Sequence, residues 1–297
     1  MNVQSVSASP PILLWIRRDF RLSDHPALSA AVASGRPIIP VFIRDPGVVA
    51  LGAAPKWRLG LGLEKFIETL SGRGSSLVLR SGDALTSLQA LIKETGATAV
   101  YWSRLYDAAA IARDQAVKQS LKAGGIEARS FGGHLMFEPW DVETKKGGFY
   151  RVYSPMWRAV KDRNVATPLA APAQLQAPLG WPASERLEAW SMGLAMARGA
   201  AVVRPYVRLG EVAAQSRLAA FTEGAIASYV DQRNIPSVDG TSGLSENLAL
   251  GEISPHQCWH AGMRAHLEGA AGAETFLKEL VWREFAYHLI YHTPHIA

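Results

Sequence analysis

The sequence predicts an α/β domain built on a parallel sheet, then a linker, then a region that is entirely helical. Between about residues 10 and 133, short apolar runs alternate with helix-like segments, and the connections are short and marked by glycine. From about residue 211, apolar residues recur only at helical spacing. We therefore assign residues 1–135 to the α/β domain, 136–210 to the linker and 211–297 to the helical region.

Five short apolar segments supply the predicted strands. Continuous apolar runs in the first two are typical of strands covered on both faces. In order, the segments are PILLWI (11–16), PIIPVFI (37–43), SSLVLRSG (75–82), ATAVYWSR (97–104) and IEARSFGG (126–133). The helices between them are HPALSAAVASG (25–35), KWRLGLGLEKFIETLSGRG (56–74), ALTSLQALIKETG (84–96) and ARDQAVKQSLKAGG (112–125). Glycine closes the first, third and fourth of these helices, as expected at a helix C-terminus.

The pattern changes after Pro139. A turn, an aromatic stretch and a helix are predicted over 144–163, and the Ala- and Pro-rich segment 167–182 predicts an extended connector. Three helices are then predicted, over 211–234, 254–269 and 273–292.

Composition sets limits on the class of protein. Of the 297 residues, 48% are hydrophobic and 19% are charged, which indicates a globular chain. The net charge of +5 favours acidic partners such as nucleic acid only mildly. A single cysteine, Cys258, excludes a disulfide framework, and the N-terminal run ILLWI is too short for a signal peptide or a membrane span. We expect a soluble, monomeric cytoplasmic protein without membrane contact.

Two stretches near chain turns have both a structural and a functional interpretation. In WIRRDFRLSDHPAL (15–28), Arg17, Arg18 and Arg21 follow the first strand, so they form either a salt-bridged loop or an anion or interdomain contact. In DGTSGLSENLALGEISP (239–255), hydroxyl residues precede a helix start, which is either a plain helix cap or a phosphate cradle.

The third stretch is ELVWREFAYHLIYHTPHIA (279–297). Glu279 and Arg283 are four residues apart on the predicted helix and suit an ion pair. Flanking aromatics indicate partial burial, either as plain core or as the wall of a ligand site. The sequence shows no metal-ligand spacing and no motif for a catalytic nucleophile. If the protein is an enzyme, its reaction is therefore expected to depend on a cofactor.

Together the three stretches resemble the photolyase/cryptochrome family of blue-light flavoproteins. WIRRDFRLSDHPAL is similar to that family's opening strand and loop, GTSGLS and LALGEISP to its flavin phosphate-binding stretch, and ELVWREFAYHL to its most recognisable helix. Within the family, the sequence most resembles bacterial cyclobutane pyrimidine dimer photolyases. The resemblance implies a Rossmann-like antenna domain with a parallel five-stranded sheet, a linker, and an all-α FAD-binding domain.

The resemblance also implies a function. A reduced FAD would give an electron to a pyrimidine dimer flipped out of UV-damaged DNA, and the dimer would split. The antenna chromophore would be 5,10-methenyltetrahydrofolate, with a deazaflavin as second choice. Implied cofactor contacts are Tyr229, Thr241, Ser242, Gly243, Leu244, Ser245, Phe276, Glu279 and Arg283. Implied DNA contacts are Arg233, Glu279, Trp282 and Tyr287, of which Glu279 and Trp282 would be catalytic, the first as a base anchor and the second by stacking on the lesion.

The chain departs from the family in three places. Gly243 stands where relatives often carry a larger, frequently basic residue, and 191–212 does not resemble the family's linker. Family members also continue well beyond residue 297, which implies an incomplete cofactor domain, exposed apolar helix faces and weak or no FAD binding by this chain. A cryptochrome-like photosensor and a non-photochemical nucleotide- or folate-binding module remain as alternative functions.

Overall fold

The computed structural model describes residues 9–296, and its first part is one five-stranded parallel sheet in the order β3-β2-β1-β4-β5. The strands are β1 (Ile12–Ile16), β2 (Ile38–Arg44), β3 (Val78–Ser81), β4 (Ala99–Ser103) and β5 (Glu127–Phe131). All pairings are parallel. The predicted fold class is confirmed, and each strand lies within its predicted segment or extends one residue past it.

Helices cover both faces of this sheet. They are α1 (Pro26–Ala33), α2 (Pro46–Val49), α3 (Ala53–Ser71), α4 (Ala84–Thr95) and α5 (Ala108–Ala123). Side chains of β1 alternate between two cores, with Ile12 and Leu14 on one face and Leu13 and Trp15 on the other.

Helix α5 begins four residues before the segment predicted for it. The Asp107 carboxylate accepts the backbone N–H of Ala110 at 2.9 Å and caps the helix there. The residues that follow are alanines, and a run of alanines lacks the alternation of apolar and polar residues from which a helix is predicted.

A linker with little regular structure follows the sheet and packs onto it. It holds α6 (Tyr153–Val160) and α7 (Arg198–Val203), and the segment 167–182 has no helix or strand, as predicted. The backbone N–H of Glu185 donates to Leu79 O at 3.0 Å, and the Glu185 carboxylate accepts the N–H of Ser81 at 2.7 Å, so the chain just after the connector lies along β3. Ser191 and Ala197 have positive φ angles of 48° and 44°, so the stretch that departs from the family also holds strained backbone.

The remaining residues form helices around a core of their own. These are α8 (Gly210–Glu223), α9 (Tyr229–Gln232), α10 (Ser245–Leu250), α11 (Pro255–Leu267) and α12 (Ala273–His292). The helix predicted over 211–234 is divided, because the chain turns at Gly224 (φ −132°, ψ −90°) and continues as a 3₁₀ helix. Short 3₁₀ helices are Pro139–Asp141, Leu187–Trp190, Leu194–Met196, Arg204–Tyr206, Ala225–Ser228 and Pro294–Ile296. Between residues 9 and 296, no helix is both long enough and apolar enough to cross a membrane.

The loop after β1 joins the sheet to the helices. Arg21 is 1% exposed, and its guanidinium donates to Gly251 O at 3.0 Å and to Gly133 O at 2.7 Å. The N–H of Phe20 donates to Leu250 O at 3.2 Å. Gly251 closes α10 with φ +65°, and a Cβ at this position would lie 2.1 Å from Arg18 O. Of the two interpretations of this loop, the interdomain contact therefore holds for Arg21.

Candidate functional site

The hydroxyl-rich loop 241–245 leads into α10. That helix begins at Ser245, and Leu244 at its N-cap makes no side-chain capping bond. Plain helix capping by a hydroxyl is therefore not realised, and first-turn N–H groups of a helix have no partner within the helix. Thr241 and Ser245 are exposed, and Ser242 is partly exposed. The loop thus presents short hydroxyl donors at an uncapped helix start.

Arg217 of α8 lies directly behind this loop. Its Nη1 donates to Gly243 O at 2.6 Å and to Glu246 Oε1 at 2.7 Å. Gly243 has φ +60°, and a Cβ there would lie 3.4 Å from the Arg217 guanidinium carbon. A guanidinium that is ion-paired with Glu246 therefore lies beside position 243, although the residue itself has no side chain. Sequence reasoning missed Arg217, because no local pattern links it to a loop 26 residues away.

Two implied cofactor contacts lie in the helical core. Phe276 is 3% exposed and Tyr229 is 8% exposed, and both rings pack against Phe221, at centroid distances of 4.9 Å and 5.3 Å. Phe276 is surrounded by apolar side chains of the core, whereas the Tyr229 ring also lies 5.9 Å from the Arg233 guanidinium carbon.

One side of α12 is open and carries Glu279 and Trp282. Glu279 forms its ion pair with Arg233, not with Arg283 as its spacing predicts. Hydrogen bonding to that carboxylate raises the pKa of Arg233. The Trp282 side chain is 46% exposed and stacks on Tyr153 of α6, with ring centroids 3.7 Å apart and planes 7° apart. The structure therefore brings Arg233, Glu279 and Trp282 to one surface, while Tyr153 was not foreseen.

Another side of α12 contacts the segment after β5. Arg283 donates to His134 O at 2.9 Å and lies 4.9 Å from the centroid of the Tyr287 ring. The Tyr287 hydroxyl lies 2.8 Å from His134 Nε2. Arg283 and Tyr287 thus both contact His134 after β5 in this structure, and their cofactor and DNA roles remain predictions.

Glu284 completes the contact between α12 and the segment after β5. The residue is 2% exposed, and its Oε2 accepts the N–H groups of Met136 at 2.9 Å and Phe137 at 3.2 Å. Burial raises the pKa of this carboxyl to about 7. The sequence reveals only a charge among aromatics here, because both donors come from a segment almost 150 residues away.

A cavity of about 840 Å³ opens at the carboxyl ends of the strands. The sheet order reverses between β1 and β4, which is where parallel sheets of this kind bind ligands. The residues that line the cavity include Trp15, Arg17, Arg18, Asp45, Arg58, Asp83, Asp107, Arg113, Glu246, Ala249 and Leu250.

The charges of the cavity walls are largely matched. Arg17 pairs with Asp114 at 2.7 Å and Arg58 with Glu246 at 2.8 Å, whereas Arg18 makes no ion pair within residues 9–296. Across the same residues, no group of three or more His, Cys, Asp and Glu side chains is arranged to hold a metal ion.

Comparison with known proteins places this geometry in a family. The DNA photolyase family model matches residues 12–174. The deoxyribodipyrimidine photo-lyase of Agrobacterium fabrum is 43% identical over 97% of this chain and 60% of its own length, and that of a Synechococcus strain is 35% identical over 97% and 62%. A bacterial class III photolyase from Agrobacterium tumefaciens superposes with a TM-score of 0.93 at 41% identity, over 100% of this chain and 62% of that one.

The chain spans about 60% of the length of these relatives. The family model, the sequence relatives and the fold agree with the three stretches that carried the resemblance. The chain belongs to the DNA photolyase family.

Proposed function

We propose that the chain functions in light-dependent DNA repair, as a deoxyribodipyrimidine photo-lyase that splits cyclobutane pyrimidine dimers. The observation that carries this proposal is the open indole of Trp282, 46% exposed, on the same helix surface as the Glu279–Arg233 pair. An exposed aromatic face beside a hydrogen-bond acceptor suits an unstacked base. The relatives' name, deoxyribodipyrimidine photo-lyase, supports a dipyrimidine lesion as the substrate.

The residues around loop 241–245 fit a flavin dinucleotide in the chemistry of their donors. Hydroxyls of Thr241, Ser242 and Ser245, with the N–H groups at the start of α10, would hold the pyrophosphate, and Arg217 would supply positive charge behind Gly243. Bound and reduced, FAD would supply the light-driven electron that opens the dimer.

The residues on α12 would hold and orient the lesion. Trp282 would stack on one base, and the Glu279 carboxylate would accept a hydrogen bond from a base N–H. The Arg233 guanidinium holds that carboxylate and has further N–H groups to offer a DNA phosphate. Stacking and hydrogen bonding together would fix the dimer in one orientation.

The cavity at the strand ends would take the antenna chromophore. Its volume of about 840 Å³ is within the range of cofactor sites, and Arg18 is available for an anionic tail. A folate such as 5,10-methenyltetrahydrofolate is our first candidate, and a deazaflavin is the second.

Repair should depend on Trp282 and not on tryptophan exposure in general. We expect the chain to bind added FAD weakly. Trp282→Ala should lower blue-light repair of a UV-irradiated thymine oligonucleotide by about five- to a hundredfold, since a base–aromatic stack of this kind is worth about 1–3 kcal/mol. Trp181→Ala, at a 38% exposed tryptophan in the linker, is the matched control and should repair normally.

The outcomes of this assay separate the alternatives. Equal repair by the wild type and Trp282→Ala would contradict the stacking role. Flavin binding without repair would favour a photosensor, and folate or nucleotide binding without flavin would favour a plain binding module.

Arg18 should set the affinity of the cavity for a folate. Removing a charge-assisted hydrogen bond costs about 1.5–3 kcal/mol, so Arg18→Ala should weaken binding of 5,10-methenyltetrahydrofolate by about tenfold or more in a fluorescence titration. Arg186→Ala, at an 85% exposed side chain on the linker, should leave the affinity unchanged. Equal affinities of the wild type and Arg18→Ala would exclude this contact.

A further inference from the structure

The ring of Tyr153 covers one face of Trp282. The two residues come from helices α6 and α12, 129 positions apart in the chain, yet their rings are nearly parallel at 3.7 Å and 7°. Phe285 lies edge-on to both rings, with centroids 6.0 Å and 5.8 Å away and planes at 71° and 75°. Parallel and edge-on contacts of this kind are favourable geometries for aromatic pairs.

Tyr153 is also held at its polar end. Its hydroxyl donates to Lys278 O at 2.8 Å, one helical turn before Trp282 on the same helix. Burial, and secondarily the charge of Glu279, raises the pKa of this phenol and thus favours its protonated, donating form. The ring is thus fixed by stacking and by a hydrogen bond to the main chain that carries Trp282.

The consequence for Trp282 is a fixed indole with one face covered. The side chain is 46% exposed although Tyr153 stacks against it, so the accessible surface lies on the opposite face and the ring edge. A tryptophan on an open helix surface ordinarily samples several rotamers, and binding then costs the free energy of selecting one. Here the selection is made before any ligand arrives.

We propose that Tyr153 is a positioning residue that holds Trp282 as a one-faced platform for a single unstacked nucleobase. The base would complete a three-layer stack of Tyr153, Trp282 and base. The role rests on the proposed function for its ligand, but the fixed orientation of Trp282 can be measured without DNA.

The orientation is tested by fluorine NMR on the full chain labelled with 5-fluorotryptophan. The Trp282 signal is assigned by its absence from Trp282→Phe. We expect the Trp282 signal to be one sharp line in the wild type and in Tyr153→Phe, which keeps the aromatic ring. In Tyr153→Leu we expect the Trp282 signal to be shifted and to be broadened or split. A Trp282 line that is unchanged in Tyr153→Leu would overturn the proposal.

The functional part is tested by binding of a UV-irradiated single-stranded thymine oligonucleotide. We expect Tyr153→Leu to weaken binding about fivefold and Trp282→Ala by about tenfold or more, with Tyr153→Phe close to the wild type. If Trp282→Ala weakens binding and Tyr153→Leu does not, the positioning role is wrong and the proposed function stands. If Trp282→Ala has no effect, the lesion contact itself is wrong, and the NMR result alone then decides whether Tyr153 fixes the indole.

Discussion

Gly251→Ala is expected to lower the free energy of unfolding by about 2–4 kcal/mol. Two costs combine at this position. A φ of +65° is unfavourable for any residue with a Cβ, by about 1 kcal/mol or more. The new Cβ would also lie 2.1 Å from Arg18 O, a backbone atom that cannot move without disturbing the loop after β1, and overpacking of this kind typically costs about 1–3 kcal/mol.

Gly96→Ala is the matched control for Gly251→Ala. Gly96 also closes a helix in the left-handed region, with φ +67°, but a Cβ added there would have no other atom within 4 Å. We expect Gly96→Ala to lose only about 1 kcal/mol, the conformational cost alone. Urea unfolding of the three proteins measures both differences. Equal losses for the two substitutions would mean that the contact between α10 and the Arg18 backbone relaxes freely.

Glu284 is expected to make the protein less stable as the pH rises from about 5 to about 8, and Glu284→Gln to remove that effect. Below about pH 4.5 the carboxyl is protonated in both the folded and the unfolded chain. As the pH rises towards 7, the unfolded chain ionises while the buried carboxyl stays protonated, so unfolding becomes easier. Above about pH 7 both states are ionised, and the loss levels off at about 3 kcal/mol.

Other buried groups act in the same pH window, so the informative quantity is a difference. The charge of Arg283 lies near the carboxyl and favours its ionised form, and His256 acts in the same direction when it is protonated. Burial lowers the pKa of His134 and His288, and neutral buried histidines make the protein less stable as the pH falls. Subtracting the wild-type pH profile of unfolding free energy from that of Glu284→Gln cancels these histidine contributions.

The expected difference rises by about 3 kcal/mol from about pH 5 to about pH 8. Glu274→Gln, at an exposed carboxylate on the same helix, is the control and should stay within about 0.5 kcal/mol of the wild type. Parallel profiles for the wild type and Glu284→Gln would show that Glu284 ionises as readily in the folded chain as in the unfolded one.

More of the fold than of the candidate site could be predicted from the sequence. Continuous apolar runs and glycine-marked turns are local signals, and they located all five strands. The loop at Thr241 and the helix carrying Trp282 were likewise located by local residue patterns. Their partners were not, because Arg217 and Tyr153 meet them only through helix packing between distant segments.

One predicted contact was wrong for the same physical reason. The spacing of Glu279 and Arg283 suits an ion pair, but each side chain found a partner on another segment, Arg233 and His134 respectively. Packing between distant segments determines these contacts, and the spacing of residues along one helix cannot predict that packing. The position of Arg17 and Arg18 after β1 made an anion contact at the strand ends one of the interpretations, but the cavity wall contributed by α10 could not be predicted, because it comes from a distant segment.

The segment that holds Ser184 and Glu185 beside β3 affects how this sheet can pair with other chains. An outermost strand ordinarily presents unpaired main-chain groups that any extended peptide can join, which is a route to edge-to-edge aggregation. On β3, Leu79 O and the N–H groups of Leu79 and Ser81 are bonded instead to Ser184 and Glu185. A foreign strand would have to displace that segment before it could add to the sheet.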